Sequence, residues 1–348
     1  MFSPEIVERA LARFPRHLAT HAPTALEAMP RLGASLGLAL TVKRDDCTGV
    51  AFGGNKVRQL EFYIGAAEAR GSDTILITGA VQSNFVRTAA AMARRAGMDC
   101  HVQLEERVPD IDDTHRRNGN VLLDHLFGAT IHTFPEGENE DAADAALEGI
   151  AETLRGEGRK PYIIGLAAST PPLGALGYMI GAMELAEQHG GDLPYDEILV
   201  ASGSAQTHCG ILFGLRALGI DTPVRGICVR RAADIQEARV ARRLEDMAAL
   251  TRLDLAIPDA DVRCFHDARE KGYGRMSDAT HAAILRTART EGLLLDPVYT
   301  GKVMAGLITL HERGELAGSR ILYWHTGGQP ALFAYADALV AESAERSG

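Results

Sequence analysis

With 348 residues, 46% of them apolar and 24% charged, the chain has room for two domains or one large α/β unit, in the balance of an ordinary soluble globular protein. Its formal charge of −10 and the lack of any basic run exclude a nucleic-acid surface, and small metabolites suit it better than polyanions. The five cysteines (Cys47, Cys100, Cys209, Cys228 and Cys264) are scattered without a C-x-x-C, and the twelve histidines show no H-E-x-x-H, so neither a disulfide framework nor a metal site is expected. The opening "MFSPEIVERALARFP" carries acids in place of an apolar signal core, and no apolar run reaches the ~18 residues of a membrane span. A reduced, cytoplasmic protein is the expectation.

In chain order, "LALTVKRDD" (38–46), "TILITGA" (74–80), "CHVQLEE" (100–106), "ATIHTF" (129–134) and "PYIIGLA" (161–167) read as short strands. "EILVASG" (197–203), "VRGICVR" (224–230) and "RILYWHTGG" (320–328) read the same way. Stretches such as 84–97 and 208–218 carry apolar residues at helical spacing, and an amphipathic helix is expected directly after Lys56. The acidic, alanine-rich "EGENEDAADAALEGIAETLRGEG" reads as a solvated amphipathic helix. Strands alternating with helices predict parallel sheets covered on both faces. Three times a strand runs into a glycine- or serine-rich turn and then a helix: "ILITGAVQSNFVRTAAAMA", "ILVASGSAQTHCGILFGL" and "ILYWHTGGQPALFAYADAL". One such turn is usually only a turn. Three suggest strand ends converging on one ligand, with free N–H groups at helix starts to hold an anion.

"AFGGNKVRQLEF" (51–62) puts Lys56 after two glycines and an asparagine, at the mouth of the expected helix. The helix dipole disfavours a cation there, which lowers the amine's pKa and favours a nucleophile. A surface lysine is the bland alternative, but the glycines allow close backbone approach to another group. Nucleotide motifs fail on spacing: Lys56 lacks the P-loop's glycine frame and following hydroxyl, and "GSAQTHCG" lacks the middle glycine of a dinucleotide fingerprint. An amine nucleophile together with anion-binding turns is what an enzyme using pyridoxal 5'-phosphate requires.

Eight blocks then carry a resemblance: "VKRDDCTGVAFGGNKVRQLEF", "GAVQSNFVRTAAA", "NGNVLLDHLFGA", "LGALGY", "ASGSAQTHCG", "GYG", "LLLDPVYTGKVMAGLI" and "HTGGQPALFAY". In this order, from about residue 14 to about residue 335, the chain resembles the D-cysteine desulfhydrase and 1-aminocyclopropane-1-carboxylate deaminase family. The resemblance implies fold type II of the pyridoxal phosphate enzymes, related to the tryptophan synthase β chain. Two doubly wound α/β domains would flank the active-site cleft: residues 1–56 with 166–348 as the large domain, 57–165 as the small one, in a homodimer. Lys56 matches the lysine bonded to the cofactor's aldehyde carbon. Asn84 matches the asparagine near the phenolic oxygen, and Ser83 the serine beside the substrate. Ser204, Ala205, Gln206 and Thr207 match the phosphate loop, and Thr300 the residue facing the pyridine nitrogen. Tyr273 and Tyr299 match two tyrosines on the substrate side. Ser83 could equally be a helix cap, and both tyrosines ordinary half-buried residues; His325 reads as structural.

The resemblance implies α,β-elimination on a small amino acid, giving a 2-oxo acid and ammonia. The neutral Thr300, where the deaminase branch has an acid, favours elimination over ring opening. Alternatives on the same fold are a cysteate sulfo-lyase, an amino-acid racemase or the cyclopropane deaminase, and, from another class, a cofactor-binding protein with little catalysis. Four departures bear on the substrate. Phe85 stands where the family has histidine or glutamine, Ala167 and Ala168 where it has glycines, Gln206 where desulfhydrases have glycine, and Arg275-Met276-Ser277 follows "GYG". These predict that D-cysteine is a poor substrate and that a different or more apolar amino acid is preferred.

Overall fold

Ten strands among the described residues form two sheets. The computed structural model describes residues 1–137, 139–167, 170–269 and 271–345; Ala168 lies outside them. The first sheet contains β1 (Leu26–Ala28), β2 (Ala39–Lys43), β7 (Glu197–Ser202), β8 (Val224–Cys228), β9 (Arg263–Phe265) and β10 (Arg320–Trp324), in the order β1-β2-β10-β7-β8-β9. The second contains β3 (Thr74–Ala80), β4 (Asp99–Glu105), β5 (Thr130–Phe134) and β6 (Pro161–Ile164), in the order β5-β4-β3-β6. All eight expected strands are present. The additions, β1 and β9, are three residues each, too short for a period of two to register. Pairing is parallel throughout except at the edge, where β1 runs antiparallel to β2, so the first sheet is mixed.

Strand alternation sorts side chains into cores on opposite faces. On β10, Leu322 and Trp324 enter one cluster with the helices Leu173–Gln188 and Gln206–Ala217, while Ile321 and Tyr323 enter another with Asp278–Glu291 and Thr300–Glu312. β3 is buried at all seven positions, as its unbroken apolar run requires of a central parallel strand. The acidic helix Glu140–Gly156 buries Ala143, Leu147, Ala151 and Leu154, a stripe at helical spacing that packs on Leu76.

The helix Asn55–Ala69 departs from expectation. It is not amphipathic: every residue from Val57 to Gly65 is buried. The reason is its position between cores, since Phe62 joins the cluster of the first sheet while Val57, Leu60, Tyr63, Ile64 and Ala67 join that of the second. Its polar residues are therefore buried with partners. Arg58 donates from Nε and Nη2 to both oxygens of Asp45 (3.0 Å each) and from Nη1 and Nη2 to both oxygens of Glu184 (2.9 Å each). Asp45 also accepts from Tyr178 Oη (2.8 Å) and Trp324 Nε1 (2.9 Å). Burial alone would raise both carboxyls, but the Arg58 guanidinium outweighs it and holds them below the usual range.

Removing one partner of such a network strands buried charge. Arg58→Ala is expected to cost about 3–5 kcal/mol, read as a lowered urea midpoint at unchanged slope. Because Asp45 and Glu184 have depressed folded pKa values, their contribution is present above the unfolded carboxyl values of roughly 4 and is lost as pH falls below them. The wild-type midpoint should fall in that acid range more steeply than that of Arg58→Ala.

Candidate active site

The carboxyl ends of β3, β4, β7, β8 and β10 open onto one cleft enclosing about 940 Å³ of atom-free space, part of it open to solvent. Of the residues singled out in the sequence, Lys56, Ser83, Asn84, Ser204, Ala205, Gln206, Thr207, Tyr273 and Tyr299 line it, as does Phe85. Thr300 does not. Its hydroxyl donates to Asp296 Oδ1 (2.7 Å) and accepts from the Asp296 N–H (2.8 Å), and the residue is fully buried at the start of its helix. Ala167 is absent from the wall too, though Leu166 is on it; the Ala167 N–H donates to Asp144 Oδ2 at 3.0 Å.

Lys56 reaches the cleft because Gly53 and Gly54 take φ of 65° and 103°, which a side chain at either position would resist. The approach is close: a Cβ on Gly327 would lie 2.6 Å from Gly54 Cα, and the Asn55 N–H donates to the Thr326 carbonyl (2.9 Å). Half-buried at the helix start, the Lys56 amine donates to Gln59 Oε1 (3.1 Å) and lies 5.1 Å from the centre of the Phe85 ring. Burial lowers its pKa to about 8. The direction agrees with the dipole argument, but desolvation is the cause, and the apolar Phe85 ring is part of the wall that produces it.

Gln59 continues the chain of contacts. Its Nε2 donates to Thr207 Oγ1 (2.8 Å), and so does Asn55 Nδ2 (2.9 Å). With both lone pairs taken, the Thr207 hydroxyl has only its proton to offer a further partner. Thr207 lies in the first turn of the helix Gln206–Ala217, whose first internal bond is Cys209 N–H to the Ala205 carbonyl, so the preceding N–H groups point out of the helix start. Positive φ in this loop falls on Ala205 (φ 74°) and not on Gln206, whose Oε1 accepts from Tyr63 Oη (3.2 Å). A left-handed alanine costs about 1–2 kcal/mol, and it falls in the turn that lines the cleft. An amine depressed to about 8, in one cleft with helix-start N–H groups and the Thr207 hydroxyl, suits a phosphorylated aldehyde.

On the opposite wall Ser83 caps the helix Asn84–Arg95, accepting from the Val86 N–H at 3.3 Å, and lines the cleft as well. Asn84 Oδ1 accepts from Asn120 Nδ2 (3.0 Å), leaving its NH2 as the donor available to a ligand. The Tyr273 and Tyr299 hydroxyls meet at 2.8 Å. Burial, reinforced by Tyr273, raises Tyr299 well above the usual phenol value, so it holds its proton at neutral pH. Asp296 fixes Tyr299 by accepting from the Val298 and Tyr299 N–H groups at 2.9 and 3.0 Å. His325 is buried and hydrogen-bonded through both ring nitrogens, to the Leu294 carbonyl and the Gly327 N–H.

Sequence reasoning missed Asn55 and Gln59 as partners of Thr207, and missed Arg107, Glu140, Arg230 and Arg239, all on the cleft wall. A signal existed for two of them, since "LEER" and "CVRR" lie at strand carboxyl ends.

Residues 18–327 match the family model described as pyridoxal-phosphate dependent enzyme. The chain is 41% identical over 329 residues to a D-cysteine desulfhydrase of Salmonella choleraesuis (strain SC-B67), covering 93% of this chain and 97% of that one. A solved structure described as an ACC deaminase homologue aligns at TM-score 0.87 and 32% identity, over 98% of this chain and 99% of the other. An O-ureido-L-serine synthase structure aligns at TM-score 0.62 and 17% identity, over 95% and 98%, and shares the fold.

Labelling of Lys56 by an amine-reactive reagent, followed by mass spectrometry, tests its depressed pKa. The rate should rise about tenfold per pH unit and level off above pH 8, where the neutral amine predominates. A rate still climbing beyond pH 10, as for a solvated lysine, would count against burial as the controlling effect.

Proposed function

Since the chain belongs to the family of pyridoxal-phosphate dependent enzymes, we propose that it is a lyase. Its reaction is α,β-elimination on a small amino acid with a leaving group on Cβ, giving a 2-oxo acid and ammonia. One observation carries this reading: the Lys56 amine, depressed to about 8, lines one cleft with a phosphate-type cradle and a pair of hydrogen-bonded tyrosines. The similarity to D-cysteine desulfhydrase supports a sulfur leaving group. Residues 57–165 would form the smaller domain and the remainder the larger, with the cleft between them.

In this reading the N–H groups at Gln206 and Thr207, with the Ser204 and Thr207 hydroxyls, would hold the phosphate. The Asn84 NH2 would hold the phenolic oxygen, and Lys56 would hold the aldehyde end. When bound, pyridoxal phosphate supplies a sink for the electron pair released at Cα. Lys56 Nζ would take the Cα proton, a role for which a pKa near 8 is well matched. Tyr299, held protonated, donates from its hydroxyl toward the substrate, and Tyr273 shares that proton across 2.8 Å. Ser83 orients the substrate carboxylate. Thr300 acts at a distance, by bracing Asp296 and with it the Tyr299 backbone.

Phe85 is where the pocket departs from the family. An apolar ring 5.1 Å from the amine replaces a polar partner, and a lost hydrogen bond of that kind changes specificity by about one to two decades. D-cysteine is therefore expected to be a poor substrate.

Lys56→Ala should keep the fold, lose the borohydride-reducible cofactor adduct, and release no 2-oxo acid from any amino acid. The wild type, screened over cysteine enantiomers, β-chloroalanine and cysteate, should release 2-oxo acid and ammonia in equal amounts. Reversible substrate binding with no 2-oxo acid from any of them would instead mark a cofactor-binding protein.

A further inference from the structure

A second buried guanidinium lies just behind the cleft wall, and no role given above uses it. Arg87 stands in the first turn of the helix Asn84–Arg95, fully buried, and is not part of the cavity lining. Its Nε donates to Asn120 Oδ1 at 3.1 Å, and its Nη2 to Asn84 Oδ1 at 3.4 Å. Nη1 crosses to the segment before Lys56 and donates to the Ala51 and Gly53 carbonyls, the latter at 3.3 Å. One side chain thus holds both the turn that delivers Lys56 and the amide assigned to the cofactor's phenolic oxygen.

The turn is strained where Arg87 grips it. Ala51 and Phe52 take φ of 48° and 67°, a left-handed pair that side chains resist, and Phe52 is 61% exposed. Such backbone persists only where its surroundings over-determine it. The amide is fixed as firmly. Asn84 Oδ1 accepts from Asn120 Nδ2 (3.0 Å) as well as from Arg87, so turning the amide over would set its NH2 against two donors. Asn120 is held in turn by Gln82, through its N–H to Oε1 (2.9 Å) and its Nδ2 to the carbonyl (3.1 Å). Every acceptor of Arg87 is neutral. Burial lowers Arg87 to about 10, which leaves it protonated. The carboxyl that acts on it, Asp124, is buried with neither oxygen hydrogen-bonded among the described residues, and burial pushes it up to about 8. Near neutral pH the positive charge behind Asn84 therefore stands uncancelled.

We propose that Arg87 is the positioning residue of the cofactor site: it clamps the strained turn that presents Lys56, locks the Asn84 amide with its NH2 toward the ligand, and supplies through Asn84 the positive charge that keeps the phenolic oxygen ionised. The proposal rests on the cofactor placement given above and is independent of the leaving group. A phenolic oxygen that loses a positive neighbour takes back a proton, so the charge has a spectroscopic signature. The clamp has a mechanical one at Phe52. A guanidinium kept only for packing would show neither.

Two measurements on the full-length chain compare the wild type with Arg87→Gln and Arg87→Lys. Before cofactor is added, chymotrypsin should cut after the exposed Phe52 at least about tenfold faster in Arg87→Gln, the scale of a lost charged hydrogen bond. In the holoenzyme near neutral pH, the ratio of the long-wavelength cofactor band of the ionised phenol to the short-wavelength band of the neutral one should fall about tenfold in Arg87→Gln, as for a shift of about one pKa unit. Arg87→Lys, which keeps the charge without the planar fork, should recover most of the band ratio and little of the protection at Phe52. Should Arg87→Gln fail to fold, Asn120→Ala, which frees the Asn84 amide, is expected to lower the band ratio about threefold. An unchanged ratio or unchanged cutting in a folded Arg87→Gln overturns the proposal and leaves the lyase standing, as does an unchanged ratio in Asn120→Ala where Arg87→Gln does not fold. A wild type that shows no cofactor band at all would overturn both.

Discussion

The buried guanidinium of Arg58 is the contact on which the rest of the site depends. It pairs with Asp45, just beyond β2, and with Glu184 on the helix Leu173–Gln188, while Trp324 of β10 and Tyr178 complete the shell around Asp45. Three elements of the first sheet's core are thereby fixed to one face of the helix Asn55–Ala69. Two residues along a helix is about 200°, so fixing Arg58 inward turns Lys56 toward the opposite side, where the cleft lies. Gln59, three residues from Lys56, shares its face and passes the orientation on to Thr207. A hydrophobic contact could hold the helix down. Bidentate pairing to two carboxylates also holds its rotation.

The cleft combines two electrostatic environments. Around Lys56 the wall is apolar or neutral: Phe85, Gln59 and outward-facing N–H groups. A cation is poorly solvated there, and the amine is driven toward its neutral form. At the other end the wall is crowded with guanidinium groups held by Glu140 and Glu105. Burial first, and then mutual repulsion, lowers Arg231 below its ordinary value, and burial lowers Arg239 as well. One part of the wall thus favours a neutral amine, and the other gathers buried positive charge.

Asp296 illustrates how a residue outside the cleft shapes it. It accepts four hydrogen bonds, from the N–H groups of Val298, Tyr299 and Thr300 and from the Thr300 hydroxyl. Burial raises its pKa against the opposing effect of those bonds, and a carboxylate at a helix start is the favourable sign for the dipole. Thr300, which by resemblance would face the ring nitrogen, is occupied in this cap. Its neutrality matters locally too, because a carboxylate at position 300 would stand directly against Asp296 in a buried turn.

Much of this was legible from the residues alone. Apolar runs such as "TILITGA" are strands because a parallel strand covered on both faces has no polar side to show, and three strand–turn–helix passages announced where a ligand would lie. Lys56 stood out because glycines and an asparagine before a helix have a local geometric meaning. What these signals share is range: each is decided within a dozen residues. The Asn55–Ala69 helix looked amphipathic because a sequence cannot show that both its faces meet cores. Thr300 could be placed near the cofactor by likeness but not oriented, since its hydroxyl direction depends on Asp296 and the turn between them. The arginine cluster was the least visible, for Glu140 looked like one acid on a solvated helix until folding set it against Arg230, Arg231 and Arg239, about ninety residues away in the chain. Periodicity and turn chemistry are local and written in order along the chain, whereas the charge that meets a substrate is a sum over distant segments, and only the tertiary structure performs that sum.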